Sequence, residues 1–581
     1  MARTARVGPA HAAVLSRLHR ATAISPAHLP LAAAVRGAVG LAVPLLVGMW
    51  TGWVALSVIA AVGALWGTGQ DGCDPYRSRM HRLAWAGVSA ALGLLIGELA
   101  LRSGQPSAAT VCLVVVGFVS GLVSLHGRVA SVAGMHLLLG VVFGSGFPLP
   151  GPWWQAPLAL LSGVVLVLGL STAPWLWARY GIERAAVRTV YRAASEALAA
   201  AGTPAAEEAR RRQTDALDAA HHVMRRHLVP GTRPPGETGL GRLIRAFHLA
   251  VLLGEAVTTL LWEARPLAPT VTSAPLLMAQ HLLRDHKNTA TRAETSVGEG
   301  RDILPEQPDT PGLRALTTVY AAAGDDRFDH VPLHPPPRRR PDRSAHLRYA
   351  VLLMLCVLIT HLYAAALDSP RPYWLPMAVV FIYKPDFGPL FHRALHRCVG
   401  TVVGAAAIGA VALLTANTYA FIVAVAVFGA LMAVGVRHHY AIATTGLTAV
   451  VFVLLDLMGD HRELYWLRIL DTAVAAAVVL VMHFVVWPDS AADRAGEQTE
   501  AAVLAALRYR DLAPGATPAQ RHFLRRAAYQ QLGEGRRATG EARHEPPLPG
   551  CRLSDWEQTI TTAERLCDLV TARALTATTC P

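Results

Sequence analysis

Four stretches of this chain, residues 37–70, 103–125, 137–178 and 398–436, contain no Asp, Glu, Lys, Arg or His. Nothing else in the sequence constrains the fold as much. A helix needs about 20 apolar residues to cross the hydrocarbon core of a bilayer. Three of the four stretches are long enough for two crossings, so each reads as a helical hairpin with an uncharged turn. The expected turns are Gly48–Gly52, Pro148–Pro152 and Thr415–Thr418, and Trp50, Trp53, Trp153 and Trp154 flank the first two. Tryptophans of that kind belong at the membrane–water interface. The charged residues, only 16% of the 581, are crowded into the remaining segments; a soluble domain carries about 25%.

The resulting expectation is an all-α integral membrane protein with twelve spans, at about 31–50, 52–70, 83–101, 107–125, 129–148, 153–177, 349–367, 372–384, 399–415, 418–435, 441–458 and 465–487. The eighth is short and reads as tilted or broken. Five regions follow: a segment 1–30, a first six-helix membrane domain 31–177, a helical insert with linker 178–347, a second six-helix domain 348–488, and a helical tail 489–581. Basic residues cluster on the side of the N-terminus (Arg77, Arg79, Arg82, Arg128, Lys384, Arg393, Arg397 and Arg437), with little beyond Arg102, Arg371 and Arg462 opposite. The positive-inside rule then puts both termini and both helical inserts in the cytoplasm. The first apolar stretch is too long for a cleaved signal peptide. The net charge of +13 sets this orientation and calls for no nucleic acid.

The two membrane domains read as a duplication. Trp53 opens a span ending in Asp71-Gly72-Cys73-Asp74-Pro75, followed by Arg79 and Arg82; Trp374 opens one ending in Lys384-Pro385-Asp386-Phe387-Gly388, followed by Arg393 and Arg397. Leu122–Arg128 matches Leu431–Arg437 at equal spacing. Six spans per half make this a parallel repeat, and transporters place pathways at such repeat interfaces.

Tyr373-Trp374-Leu375-Pro376, the Lys384–Gly388 turn, Arg393-x3-Arg397-x2-Gly400-Thr401-x2-Gly404 and Arg468-Ile469-Leu470-Asp471-Thr472 with Trp487-Pro488 together resemble the fusaric acid resistance protein-like, or aromatic acid exporter, family. One departure is that Ala473–Ala477 lacks the glycine that follows this Asp-Thr in the family. The resemblance implies a multi-pass protein of the bacterial plasma (inner) membrane that exports aromatic or other amphipathic organic acids. The implied partners are the bilayer and a small organic acid, with a homo-oligomer or a periplasmic accessory protein left open.

Ionisable residues inside a membrane are costly and mark functional candidates. Arg468 and Asp471 share a helical face, where they could pair and swap partners during a conformational change, or Asp471 could take up a proton as an acid leaves. Lys384, Asp386, Arg393 and Arg397 surround a span broken by Pro385, where a carboxylate would meet an arginine fork. Asp471, Asp456 and Glu98 are candidates for proton coupling. Each has a plainer reading as an ion pair, a topology signal or a snorkelling side chain. Gly117-x3-Gly121, Gly140-x3-Gly144 and Gly400-x3-Gly404 suit close helix packing. His136, His361 and His483 read first as packing residues and second as a proton relay. The seven cysteines show no metal-binding spacing, and there is no phosphate-binding loop of the GxxxxGK[ST] type. No nucleophile–base set marks an enzyme, and no cofactor is expected. Besides a proton-driven exporter, a passive organic-anion channel and a membrane scaffold with a partner-binding cytoplasmic domain fit the same sequence.

Overall fold

The computed structural model describes residues 30–72, 74–149, 151–225, 227–228, 239–283, 304, 308–324, 343–384, 389–458, 464–486, 491–543 and 553–579. Among these there is no strand, and the chain divides into two compact units.

The first unit holds Met1–Leu176 and Arg339–Asp489. All twelve expected spans fall on helices: α1 (Leu31–Thr51), α2 (Val54–Gly69), α3 (Tyr76–Arg102), α4 (Pro106–Ser124), α5 (Arg128–Gly146) and α6 (Gln155–Thr172) in the first half. In the second half, after helices of the other unit, they are α12 (Arg343–Ala366), α13 (Trp374–Ile382), α14 (Leu390–Leu414), α15 (Thr418–His438), α16 (Tyr440–Asp456) and α17 (Leu464–Val481). The expected turns sit where chain chemistry puts them. Gly52 ends α1 with φ 79°, a left-handed conformation that glycine adopts without a Cβ penalty. The Asn417 side chain accepts the Tyr419 amide at 2.8 Å and so caps α15. The eighth span is the short one, nine helical residues that stop before Lys384 and Pro385. Residues Pro385–Gly388 and Trp487–Pro488 of the sequence signatures, Asp386 included, lie outside the described residues.

The helix pairings of the first half recur in the second. Helix α3 packs on α5 as α14 does on α16, α2 on α6 as α13 on α17, and α4 on α5 as α15 on α16. The halves meet reciprocally: α1 packs against α15, and α12 against α4. The glycine motifs explain the closest pairs. A Cβ at Gly404 would stand 2.6 Å from the Thr445 carbonyl oxygen on α16, and one at Gly144 would run into the Leu94 carbonyl on α3. Only glycine lets these backbones approach so nearly. In α17 the departure Ala473–Ala477 still packs, since Ala475 and Ala476 are buried.

The second unit holds Trp177–Arg338, Ser490–Arg543 and Pro547–Pro581. It comprises α7 (Gly181–Ala199), α8 (Ala206–Met224), α9 (Gly239–Glu263), α10 (Pro269–Leu282), α11 (Pro311–Gly324), α18 (Ala491–Leu512), α19 (Pro518–Ala542) and α20 (Leu553–Thr579). The insert and the tail, read from sequence as separate regions, pack together, with α20 against α9 and α11 and α19 against α8. Ten described helices are long and apolar enough to cross a membrane, and α9 is one of them. Its apolar window is 83% buried within the protein, which leaves little face for lipid. A helix apolar all round is either a span or a core helix, and α9 is the core helix of this unit.

Candidate functional site: two buried arginines in an aromatic cavity

Charged side chains gather at the ends of α2 and α13, and several of them serve structure. Arg393, on the first turn of α14, donates to the carbonyls of Ile382 (3.0 Å) and Lys384. These are orphan acceptors at the end of the short helix α13, so Arg393 serves as its cap. Lys384 is buried at the same cap. In the first half, Arg82 donates to the Gln70 carbonyl at the end of α2 (2.7 Å) and pairs with Asp74. Asp71 anchors a wider cluster: Arg36 at 2.7 Å, Arg79 at 3.6 Å, Arg437 at 3.9 Å, and a hydrogen bond from the Ser171 hydroxyl at 2.5 Å. Arg36 was not among the sequence candidates. It lies alone on an apolar helix, and only the fold brings it to Asp71.

Arg397 has a different environment. Four residues beyond Arg393, it is 1% exposed, and its Nε and Nη1 make no hydrogen bond. Its guanidinium lies 4.8 Å above the Phe381 ring, with the Tyr440 hydroxyl alongside. Arg468, 3% exposed on α17, stacks 5.1 Å over Trp374 and donates to the Trp374 carbonyl at 3.4 Å. The stacking takes the guanidinium away from a close ion pair within its own helix. No Arg468 nitrogen is within 4.0 Å of an Asp471 carboxylate oxygen, because the guanidinium is turned onto the indole. Asp471 is buried on the same helix, and its Oδ2 makes no hydrogen bond.

Arg397 and Arg468 line one cavity of about 50 Å³. Its walls come from both halves: Trp66 on α2, Phe143 on α5 and Phe147 just beyond it, then Tyr373 and Trp374 at the start of α13 and Phe381 near its end. Tyr373 joins the halves, edge-on to Phe143 at 5.8 Å and to Phe147 at 6.0 Å. Among the described residues, no carboxylate forms an ion pair with either arginine. The site thus offers flat apolar walls and two cations, of which Arg397 has hydrogen-bonding capacity to spare. An aromatic or other apolar body bearing a carboxylate fits that chemistry.

The other sequence candidates stand apart from the cavity. Glu98 pairs with Arg102 at 2.6 Å, and Arg102 also donates to the Gly151 carbonyl, so this carboxylate fastens a turn. Asp456 ends α16 and does not line the cavity. The histidines are engaged locally: His136 Nδ1 with the Val132 carbonyl (2.8 Å), His361 with the Thr110 hydroxyl (3.1 Å), and His483 edge-on to Tyr383.

Comparison with known proteins agrees with this architecture. Residues 350–482, which run from α12 to the end of α17, match the family model described as fusaric acid resistance protein-like. The chain is 24% identical to the uncharacterized membrane protein YvaC of Bacillus subtilis over 76% of its own length and 70% of that protein's. It is 26% identical to the inner membrane protein YccS of Escherichia coli over 29% of this chain and 23% of YccS. It is also 26% identical to the Escherichia coli protein YhfK over 38% of this chain and 34% of YhfK. No solved structure matches. The chain is a multi-pass membrane protein whose second membrane half is similar to the fusaric acid resistance protein-like family.

Proposed function

We propose that this protein exports amphipathic organic acids, aromatic ones among them, across a bacterial plasma membrane with both termini in the cytoplasm. The substrate carboxylate binds Arg397 and Arg468, and its apolar body lies among Trp66, Phe143, Tyr373 and Trp374. The observation that carries this reading is the Arg397 guanidinium, buried in the cavity wall with Nε and Nη1 unbonded. A buried charge with unused donors is costly, and retaining one suits a group that meets its partner only part of the time.

The cavity's size favours a carrier over a passive channel. About 50 Å³ holds a few waters at about 10–15 Å³ each, less than any aromatic acid needs. The halves have to part to admit a substrate, as in alternating access. Asp471, buried with Oδ2 unbonded on the Arg468 helix, is the proposed proton-coupling group. Both ideas are tested in proteoliposomes loaded with benzoate or its neutral amide. Benzoate, not the amide, should leave against a gradient, and collapsing the pH gradient should stop it. Amide efflux at the benzoate rate would remove the arginine site. Benzoate efflux indifferent to the pH gradient would remove the role of Asp471.

A further inference from the structure

The second unit has a cavity of its own, about 40 Å³, where α8 and α9 of the insert meet α19 of the tail. Hydrogen-bond donors crowd its wall. Gln213, 3% exposed, has no acceptor for its Nε2. Arg525, 8% exposed, donates through Nη2 to the Gly254 carbonyl (3.2 Å) and the Thr258 hydroxyl (3.1 Å), and its Nε has no acceptor. Arg526 has none for Nε or Nη1.

Two of the nearby carboxylates are committed elsewhere. Glu564 is held by Arg210 (3.0 Å), Arg211 (2.9 Å) and Arg536 (3.1 Å), and Glu255 by His522 (2.8 Å). Asp218 lines the cavity but forms no ion pair within 4.0 Å. Burial pushes its carboxyl up to about 6. His221, also on the wall, is pushed down to about 3 by burial and then by Arg526 and Arg225, so it is uncharged at neutral pH.

A second observation concerns space. Gly254 faces the cavity from within α9, where glycine weakens a helix. A Cβ there would meet Leu217 Cδ2 at 3.6 Å, Gln213 Nε2 at 3.8 Å and Arg525 Nη1 at 3.9 Å. Those are ordinary contact distances, so alanine would fit and would occupy room that glycine leaves open.

We propose that this cavity binds a small oxyanion, a carboxylate or phosphate group, through Arg526, Arg525 and Gln213. Water could fill the space but would leave Arg525 and Arg526 with Asp218 as the one acid on the cavity wall; an oxyanion supplies further acceptors and charge. A bound anion ties α8 of the insert to α19 of the tail, so its occupancy reports the concentration of that anion to this unit. The proposal goes beyond the transport reading and does not depend on it.

The test uses the full-length protein in nanodiscs, titrated with sodium phosphate, sodium acetate or sodium benzoate against sodium chloride at equal ionic strength. Hydrogen–deuterium exchange is followed over 206–224 and 518–542. At least one oxyanion should bind saturably and protect both helices. Phosphate alone would point to a phosphorylated or inorganic source, and acetate or benzoate to an organic acid. Gly254→Ala and Arg526→Gln should each weaken that binding by about ten-fold or more, with unchanged elution on gel filtration. Arg397→Gln, in the other unit, should leave it unaltered. Absence of protection with all three anions overturns the site, as does wild-type affinity in both variants.

Discussion

Replacing Arg397 by methionine should move stability and transport in opposite directions. Methionine keeps the unbranched, apolar part of the side chain and removes the charge. In the folded protein the guanidinium is 1% exposed, with Nε and Nη1 unbonded. Burying an unpaired cation costs several kcal/mol. The contact with Phe381 at 4.8 Å returns about 2 kcal/mol at a desolvated site. The balance is a cost, so Arg397→Met should stabilise the fold by about 1–4 kcal/mol, as other buried charges do when exchanged for apolar residues. Transport should suffer from the same change. Two charge-assisted hydrogen bonds to a carboxylate are worth about 1.5–3 kcal/mol each, so their loss should weaken benzoate binding by about 10²-fold or more. Thermal unfolding in nanodiscs and benzoate efflux from proteoliposomes read the two effects separately. A variant less stable than wild type would make Arg397 a structural brace. A more stable variant with undiminished efflux would place the substrate elsewhere.

Three further outcomes test the surrounding structure. Gly400→Val should destabilise the protein by about 1–3 kcal/mol through overpacking, because a side chain there meets the Thr444 hydroxyl and, at 2.7 Å, the Ala441 carbonyl; Gly409→Val, with nothing within 4 Å, is the control in the same thermal-unfolding assay. Asp71→Asn should cost about 3–5 kcal/mol, since it strands Arg36 and Arg79, and pairing it with Arg36→Gln should restore part of that loss in the same measurement. In the second unit, the His221 pKa near 3 lies below its ordinary 6.5, so its stabilising contribution is complete above about pH 6.5 and falls as pH drops toward 3. His221→Leu should therefore reduce the acid sensitivity of hydrogen exchange in α8, whereas Asp218, whose pKa is raised, contributes in the opposite sense, fully below about pH 4 and not above 6.

The spans were legible because lipid leaves no choice: uncharged runs of sufficient length become helices. The short eighth span was legible for a local reason, Pro385 directly after Lys384. The grouping of the charges was not legible. Sequence spacing put Arg393 with Arg397, and Arg468 with Asp471, since residues three or four apart share a helical face. The fold gives the members of each pair different close partners. Arg393 is drawn to the open carbonyls ending α13, and Arg468 to the Trp374 indole, because each finds a closer partner on another helix than on its own. The meeting of Arg397 and Arg468 at one cavity depends on how α14 and α17 pack against α13, which no local pattern encodes. The Gln213–Arg525 cavity was hidden for the same reason: its walls come from segments separated by the whole second membrane half.

The two halves repeat their helix pairings but differ in charge at the turn after the second helix, and this difference assigns them different work. At Asp71 the first half has an acid that collects Arg36 and Arg79 within the half and Arg437 from the other. The corresponding turn of the second half begins with Lys384, and Arg397 behind it has no acid to meet among the described residues. Ion pairs lose much when their members separate, so the first half's helix ends resist rearrangement. Among the described residues Arg397 has no ion-pair partner, a cost that a carboxylate substrate removes. Binding energy is therefore available where the charge is unmet, and rigidity where it is met. On this argument α13 and α14 change their packing during transport while α2 and α3 hold theirs. Cross-linking α2 to α6 should then leave efflux intact, whereas cross-linking α13 to α17 should stop it; block by the first cross-link alone would reverse the assignment.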